Sequence, residues 1–297
     1  MKPSEIKSPY CHLKWSGRTD RGKVRKNNED AFVALRLTEL EVQLLGKIGE
    51  SPVWSDPFVF AVSDGMGGAM AGEYASRIAI DKITRLLPRW QAMPQTDYTQ
   101  QLPQRLTSLF TEIHRALRYL GLSYEECRGM EATLSLGMFV GKRFFFAHIG
   151  DSRIYHLRKL GGELYQLTED DTHVGWLLRH RHINEREARS HPRRHILQKA
   201  LGGNNQFVSP QVGSVSCSEG DRFLFCTDGV TEELYDRDLA ELLRRVPRPD
   251  EKTAESLVES VLERGARDNT TALVVDWLGS TGTDGPGVDP QTSAIRS

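Results

Sequence analysis

Three apolar, β-like runs in this chain each end on an aspartate for which the neighbouring residues supply no partner. Phe58-Val59-Phe60-Ala61-Val62-Ser63 leads into Asp64-Gly65, Phe144-Phe145-Phe146-Ala147-His148-Ile149-Gly150 into Asp151, and Phe223-Leu224-Phe225-Cys226-Thr227 into Asp228-Gly229. A fourth acid, Asp268, stands in the mirrored position, just before Asn269-Thr270-Thr271-Ala272-Leu273-Val274-Val275. Strands this apolar are buried, so each carboxylate is carried to the rim of the core, where an unpaired charge is costly. Several acids gathered at one rim repel each other unless a cation sits among them. All-oxygen ligation selects hard ions, Mg²⁺ or Mn²⁺, over zinc. The expectation is a metal-dependent enzyme.

Two further acids join the list. In Gly17-Arg18-Thr19-Asp20-Arg21-Gly22-Lys23-Val24-Arg25-Lys26-Asn27-Asn28-Glu29-Asp30, the adjacent Glu29 and Asp30 would point to opposite faces of a strand. One can then face a metal while the other holds a metal-bound water. Arg25 offers a planar fork matched to a phosphate. The glycines of Asp64-Gly65-Met66-Gly67-Gly68 let backbone approach an ion closely, and Gly65 could lend its carbonyl as a ligand. Taken singly, each Asp-Gly reads equally well as a tight turn or a helix cap, and Glu29-Asp30 as a solvated loop. Turn chemistry does not explain four strand-end acids together.

The elements that must carry these residues segregate along the chain. Residues 1–14 read as an N-terminal extension and 279–297, rich in Gly, Ser, Thr, Pro and Asp, as a disordered tail. No linker divides 15–278, which reads as one domain. Tyr74, Ala75, Ile78, Ala79, Ile83, Leu86 and Leu87 follow helical spacing up to Pro88. Leu102 to Leu120 make a second amphipathic helix ending at Gly121. Strands follow at 132–140, with Ala132, Leu134, Leu136, Met138 and Val140 on one side, then at 143–149 and 153–157. A helix around 174–190 has a capping-box restart at Asn184-Glu185-Arg186-Glu187. Strands at 207–216 and 222–227, a helix carrying Ala254, Leu257, Val258, Val261 and Leu262, and a closing strand at 270–277 complete the pattern. Helix pairs interrupting antiparallel strands suggest two packed sheets with helices on the outer faces.

The whole-chain figures narrow the classes. Across 297 residues, 38% are hydrophobic and 27% charged, an ordinary globular composition. With 39 basic and 40 acidic residues the formal charge is -1, so no global field recruits nucleic acid or an anionic membrane. No run approaches the roughly 20 apolar residues of a membrane-spanning helix, and Met1–Glu5 opens no secretory signal. Cys11, Cys127, Cys217 and Cys226 form no CxxC pair, which indicates neither a zinc knuckle nor a disulfide framework. A reducing cytoplasm is the expected setting.

Arg25-x-x-Asn28-Glu29-Asp30, Asp64-Gly65-Met66-Gly67-Gly68, Gly150-Asp151-Ser152-Arg153, Leu167-Thr168-Glu169-Asp170, Thr227-Asp228-Gly229 and Asp268-Asn269-Thr270-Thr271 occur in that order. Over about residues 15–276 this set resembles the metal-dependent serine/threonine protein phosphatases of type 2C, in their bacterial form. The resemblance implies an α+β fold, a four-layer α/β/β/α sandwich of two antiparallel sheets flanked by helix pairs. It implies two Mn²⁺ or Mg²⁺ ions, with room for a third. Carried over, Asp64 would bridge the pair, Asp228 and Asp268 would complete one ion, and Glu29 with the Gly65 carbonyl would serve the other. Asp30 would orient a water, Asp151 with Asp228 would hold the third ion, and Arg25 would grip the substrate phosphate. The expected reaction is direct, in-line attack on phosphorus by a metal-activated water. Expected partners are phosphoproteins and a cognate serine/threonine kinase, with a monomer as the default state.

Two departures stand out. Animal members carry a histidine where this chain has Met66, so the leaving oxygen must draw its proton from another source. Gly129-Met130-Glu131-Ala132-Thr133 differs from the family's Gly-Thr-Thr, a change expected to alter packing without touching a ligand. His173, His180, His182, His191 and His195 fit no zinc spacing. The basic stretch Arg179–Arg194 falls where the family carries a flap, and it reads either as a solvated helical surface or as a guide for acidic phosphopeptides. Rival readings are a phosphatase of an anti-sigma-factor antagonist, a degenerate binding scaffold and a hard-metal nuclease. The retained acids argue against the scaffold and the neutral charge against the nuclease.

Overall fold

The strands through 58–62, 144–147, 223–226 and 272–275 carry apolar residues at successive positions, and since side chains alternate across a strand each of these feeds two different cores. The computed structural model describes residues 11–279, apart from 55, 68–69, 88–97, 160–161, 205–206 and 246–251. In chain order the first half comprises β1 (Cys11–Asp20), β2 (Asp30–Leu37), β3 (Val42–Leu44), β4 (Ile48–Val53), β5 (Phe58–Met66), α1 (Ala71–Leu86) and α2 (Tyr98–Ser123). Then come β6 (Glu131–Ala132), β7 (Leu134–Val140), β8 (Arg143–Ile149), β9 (Arg153–Leu157), β10 (Leu164–Gln166), α3 (His173–Arg179) and α4 (Glu185–Ser190). The chain closes with β11 (Leu201–Gly202), β12 (Gln211–Ser216), β13 (Asp221–Cys226), α5 (Asp228–Glu233), α6 (Asp236–Arg244), α7 (Thr253–Arg264) and β14 (Thr270–Leu278).

One sheet runs β10-β9-β13-β14-β1-β4 and the other β11-β6-β5-β7-β8-β12, with β2 paired to β5 and β3 to β2. Their pairings are antiparallel. Phe58, Phe60 and Val62 of β5 pack between the sheets with Phe139, Phe144, Phe223, Phe225 and Trp277. Val59 and Ala61 face the other way, against Ala75, Ile83, Leu106 and Phe110 of α1 and α2. On the opposite side, Leu224, Cys226 and Val274 meet Leu239, Leu257 and Val261 of α6 and α7. Three apolar layers thus separate four layers of structure, the α/β/β/α sandwich.

Several sequence boundaries shift. β1 begins at Cys11, and Cys11 and Leu13 are fully buried, so residues 11–14 belong to the sandwich and not to an extension. Residues 1–10 and 280–297, and with them most of both proposed ends, lie outside the described residues, as does Pro88. α2 runs through Gly121 to Ser123, two residues past the predicted stop, with Leu122 and Ser123 exposed. The strand expected at 132–140 is interrupted at Thr133, whose backbone turns to bond Asp64. β12 starts at Gln211 rather than 207. Near 174–190 there are two helices, and Asn184 forms the expected capping box with Glu187.

The inter-sheet layer is largely aromatic. Phe139 is fully buried and lies 5.2 Å from Phe223, 4.8 Å from Phe144, 5.8 Å from Phe60 and 5.7 Å from Trp277, measured between ring centroids. Phe139→Ala should lower unfolding free energy by about 3–5 kcal/mol, read by urea denaturation; a loss under about 1 kcal/mol would mean that this layer is not the close-packed centre.

Candidate metal centre

Strand register delivers the acids to one end of the sandwich. Asp30 opens β2 directly opposite Asp64 of β5. In the other sheet Arg153, Cys226 and Ala272 are neighbours across β9, β13 and β14. Asp151, Asp228 and Asp268 therefore leave or enter three adjacent strands at the same edge. The sequence-predicted acids lie toward this rim, but among the described residues no three of them bring ligand atoms within 4.8 Å of one another; the trio that does is His195, Asp228 and Glu232.

Buried hydroxyls and one amide hold them there. Thr227 Oγ1 donates to Asp30 Oδ2 at 2.8 Å and accepts from the Thr271 amide at 3.1 Å, which ties the two sheets together beneath the acids. Asn269 accepts the Glu29 amide at 2.8 Å and donates to the Arg21 and Asn27 carbonyls at 2.9 and 2.8 Å. Thr133 Oγ1 accepts the Asp64 amide at 2.9 Å and bonds Ser152 Oγ at 2.7 Å, linking the residue beside Asp151 to Asp64. The expectation that the Gly129–Thr133 stretch touches no ligand is thus corrected: Ala132 pairs with Gly65, and Thr133 braces Asp64. Each bonding partner lies far away in the chain, so local sequence carried little signal beyond a polar residue in an apolar strand.

Gly65 and Gly72 allow α1 to sit almost on β5. A Cβ at Gly65 would collide with the Gly72 carbonyl. A Cβ at Gly72 would stand 2.6 Å from the Gly65 carbonyl oxygen and 2.9 Å from Glu29 Oε1, so these two oxygens border one small space that any side chain would fill. Arg25 Nη2 meets Asp268 Oδ2 at 2.5 Å, and its side chain is 52% exposed. The guanidinium therefore lies at the acid cluster, paired with one of its members.

The electrostatics are those of crowded carboxylates. Asp30 is pushed up to about 7, by burial first and then by Asp268 and Glu29, against opposing hydrogen bonds from Thr271 and Thr227. Asp151 is also pushed up to about 7, by burial and Asp170, with Arg153 opposing. Burial and mutual repulsion drive Asp64 and Asp228 well above the carboxylate range. Asp30 Oδ1 and Asp228 Oδ1 are buried without a hydrogen-bond partner. Oxygen donors, orphaned lone pairs and a like-charge cluster are what hard divalent cations compensate, so the residues present fit such ions.

Beside the cluster lies a cavity of about 820 Å³, lined among others by Asp151, Asp228, Glu232, Arg189 and His195. Part of its lining comes from α4 and the loop that follows it, through Glu185, Ala188, Arg189, Arg194 and His195. Arg189, expected to be a free surface cation, instead donates to the Glu232 and Leu234 carbonyls at 2.9 and 2.7 Å and stacks 3.8 Å over the Tyr235 ring. His173, His180 and His182 stack around Trp176, while His195 pairs with Glu232 at 2.9 Å. Sequence reasoning passed over Glu232, because it lies within α5, a helix too short to announce itself.

Comparison with known proteins agrees with this geometry. Residues 51–278 match the family model for protein phosphatase 2C, and the chain belongs to that family. It is 33% identical over 267 residues to the serine/threonine protein phosphatase PstP of Mycobacterium tuberculosis, covering 89% of this chain and 45% of PstP. The chain thus spans less than half the length of that relative. With the serine/threonine phosphatase stp of Listeria monocytogenes it shares 31% identity, over 87% of this chain and 94% of the relative. The catalytic domain of PstP, solved in complex with two manganese ions, superposes with a TM-score of 0.71 at 32% identity, over 90% of this chain and 99% of that one.

The raised carboxylates fix a pH dependence. Their protonated forms are favoured in the folded state, so their contribution to stability is present below the ordinary value of 3.8 and is lost as pH rises through about 7. Divalent ions should replace those protons. The rise in Tm on adding Mn²⁺ should therefore be larger near pH 7.5 than near about pH 5, measured by differential scanning fluorimetry; an equal shift at both would show that these acids do not meet the ions.

Proposed function

We propose that the chain hydrolyses phosphoserine and phosphothreonine in phosphoproteins, opposing a serine/threonine kinase. The observation that carries this reading is the gathering of Glu29, Asp30, Asp64, Asp228 and Asp268 at one rim, with buried oxygens lacking any protein partner. Asp64, Asp228 and Asp268 would hold one divalent ion, and Asp64, Glu29 and the Gly65 carbonyl the other, Mn²⁺ or Mg²⁺ in each case. A third would lie by Asp151 and Asp228. When bound, the ion pair supplies an activated water and screens negative charge on the phosphoryl group.

The chain's own residues do the positioning. Asp30, held through Oδ2 by Thr227, keeps Oδ1 free to accept from a water and aim it at phosphorus. Arg25, paired with Asp268, lies where its exposed fork can turn to two phosphoryl oxygens. Met66 offers no proton, so the leaving oxygen takes one from solvent at the rim. A monomer in the cytoplasm accords with the reading; no helix among the described residues is long and apolar enough to cross a membrane.

Asp64→Asn and Asp228→Asn should each reduce Mn²⁺-dependent hydrolysis of p-nitrophenyl phosphate by at least about a thousandfold, with Tm retained. Undiminished turnover in EDTA would overturn the assignment.

Arg181 and Arg186 remain exposed on the flap, whereas Arg189 is committed to α5. Replacing the first two with Gln should raise KM for an acidic phosphopeptide several-fold and leave aryl phosphate kinetics unchanged. Equal effects on both substrates would exclude a guiding role.

A further inference from the structure

The Gly129–Thr133 stretch carries an acid that the metal centre does not use. Glu131 opens β6, a two-residue strand between β5 and β11, and its register sets it opposite Met66 on one side and Gly202 on the other. Ala132, the next residue, packs with Leu201 in the outer core against α1 and α2. Successive side chains alternate across a strand, so Glu131 belongs to the other face. Met66 and Asp64 share that face, which continues into Phe60 and Val62 between the sheets. Directly opposed Cβ atoms lie roughly 5 Å apart and diagonal neighbours roughly 7–8 Å, within reach of a long side chain. Asp64 is the diagonal neighbour of Glu131.

The carboxyl is half-buried and uncommitted. Glu131 Oε1 lies over Gly203, where a Cβ would collide with it. Among the described residues no ion pair or hydrogen bond engages this side chain. Burial alone pushes its pKa up, with no charged neighbour contributing, so it keeps its proton to higher pH than a solvated glutamate. Of the titratable groups beside it, Asp64 belongs to the metal set and His114 of α2 accepts the Gly202 amide at 3.0 Å. Glu131 is left free to exchange protons.

Expulsion of a serine or threonine oxygen leaves an alkoxide unless a proton arrives as the P–O bond breaks, and Met66 has none to give. We propose that Glu131 delivers that proton. As water adds to phosphorus, the bond to the serine oxygen breaks, its electron pair passes to that oxygen, and the Glu131 hydroxyl protonates it. The carboxylate then recovers a proton from solvent, which remains the ultimate source. The inference rests on the phosphatase reading and supplies its general acid.

The test compares two leaving groups in the full chain at saturating Mn²⁺. A phosphoserine peptide expels a strongly basic alkoxide, whereas p-nitrophenyl phosphate expels a stable anion that needs no proton. Glu131→Gln, which keeps size and shape, should lower kcat for the peptide by about a hundredfold and for the aryl ester by less than about threefold, with Tm retained. In the unsubstituted chain the peptide-to-aryl ratio of kcat should fall as pH rises and Glu131 loses its proton. In Glu131→Gln that fall should vanish. A loss shared equally by both substrates marks a structural role and overturns the proposal, as does a peptide loss under about threefold. The same pH dependence of the ratio in both proteins overturns it too. If the unsubstituted chain hydrolyses neither ester with Mn²⁺, the phosphatase reading itself fails, and the proposal with it.

Discussion

Carboxylates forced together at the edge of an apolar sandwich govern this molecule. Asp30, Asp64, Asp151 and Asp228 are all weaker acids than usual, because burial and repulsion by neighbouring acids disfavour their charged forms. A fold tolerates such an arrangement only if its frame is stiff enough to resist relaxation. The frame is the aromatic layer between the sheets and the threonine bridge of Thr227 and Thr271 directly above it. Without that stiffness the acids would part and the site would lose its charge density. Stability is given up locally to keep a place for cations.

Both sheets contribute to the rim, which explains the spread of the acids along the chain. Asp30 and Asp64 come from one sheet, Asp228 and Asp268 from the other, and Thr227 bonds across the gap. The helices differ in what they add. α1 presses against β5 through Gly65 and Gly72 and closes one side of the rim. α5 starts on an acid, and its last turn serves as the mooring for the flap. Asp228 and the carbonyls that anchor Arg189 therefore lie on one short helix and its cap.

The strand-end acids were legible because strongly apolar strands have few reasons to stop on an unpaired aspartate. The sandwich was legible from helix pairs interrupting antiparallel strands, and the helix restart from the capping box at Asn184. What escaped was set by distance. Thr133 bonds Asp64 across 69 positions and Asn269 bonds Glu29 across 240, spans over which local pattern carries no information. β1 was hidden because its alternating Cys11, Leu13 and Trp15 give way to a polar run, Arg18-Thr19-Asp20, that continues the strand. Arg189 looked solvated because its anchors are backbone carbonyls, which have no signature in side-chain sequence.

Asn269 has a mechanical consequence. With one side chain it grips the Arg21 carbonyl, the Asn27 carbonyl and the Glu29 amide, so the intervening segment is a hoop pinned at both feet. Arg25 rides on the crown of that hoop. Those bonds tether the chain on both sides of Arg25, whose guanidinium meets Asp268 at the end of its aliphatic stem. If Arg25 grips the phosphate as proposed, the reach of that side chain sets how far from Asp268 the phosphate can sit.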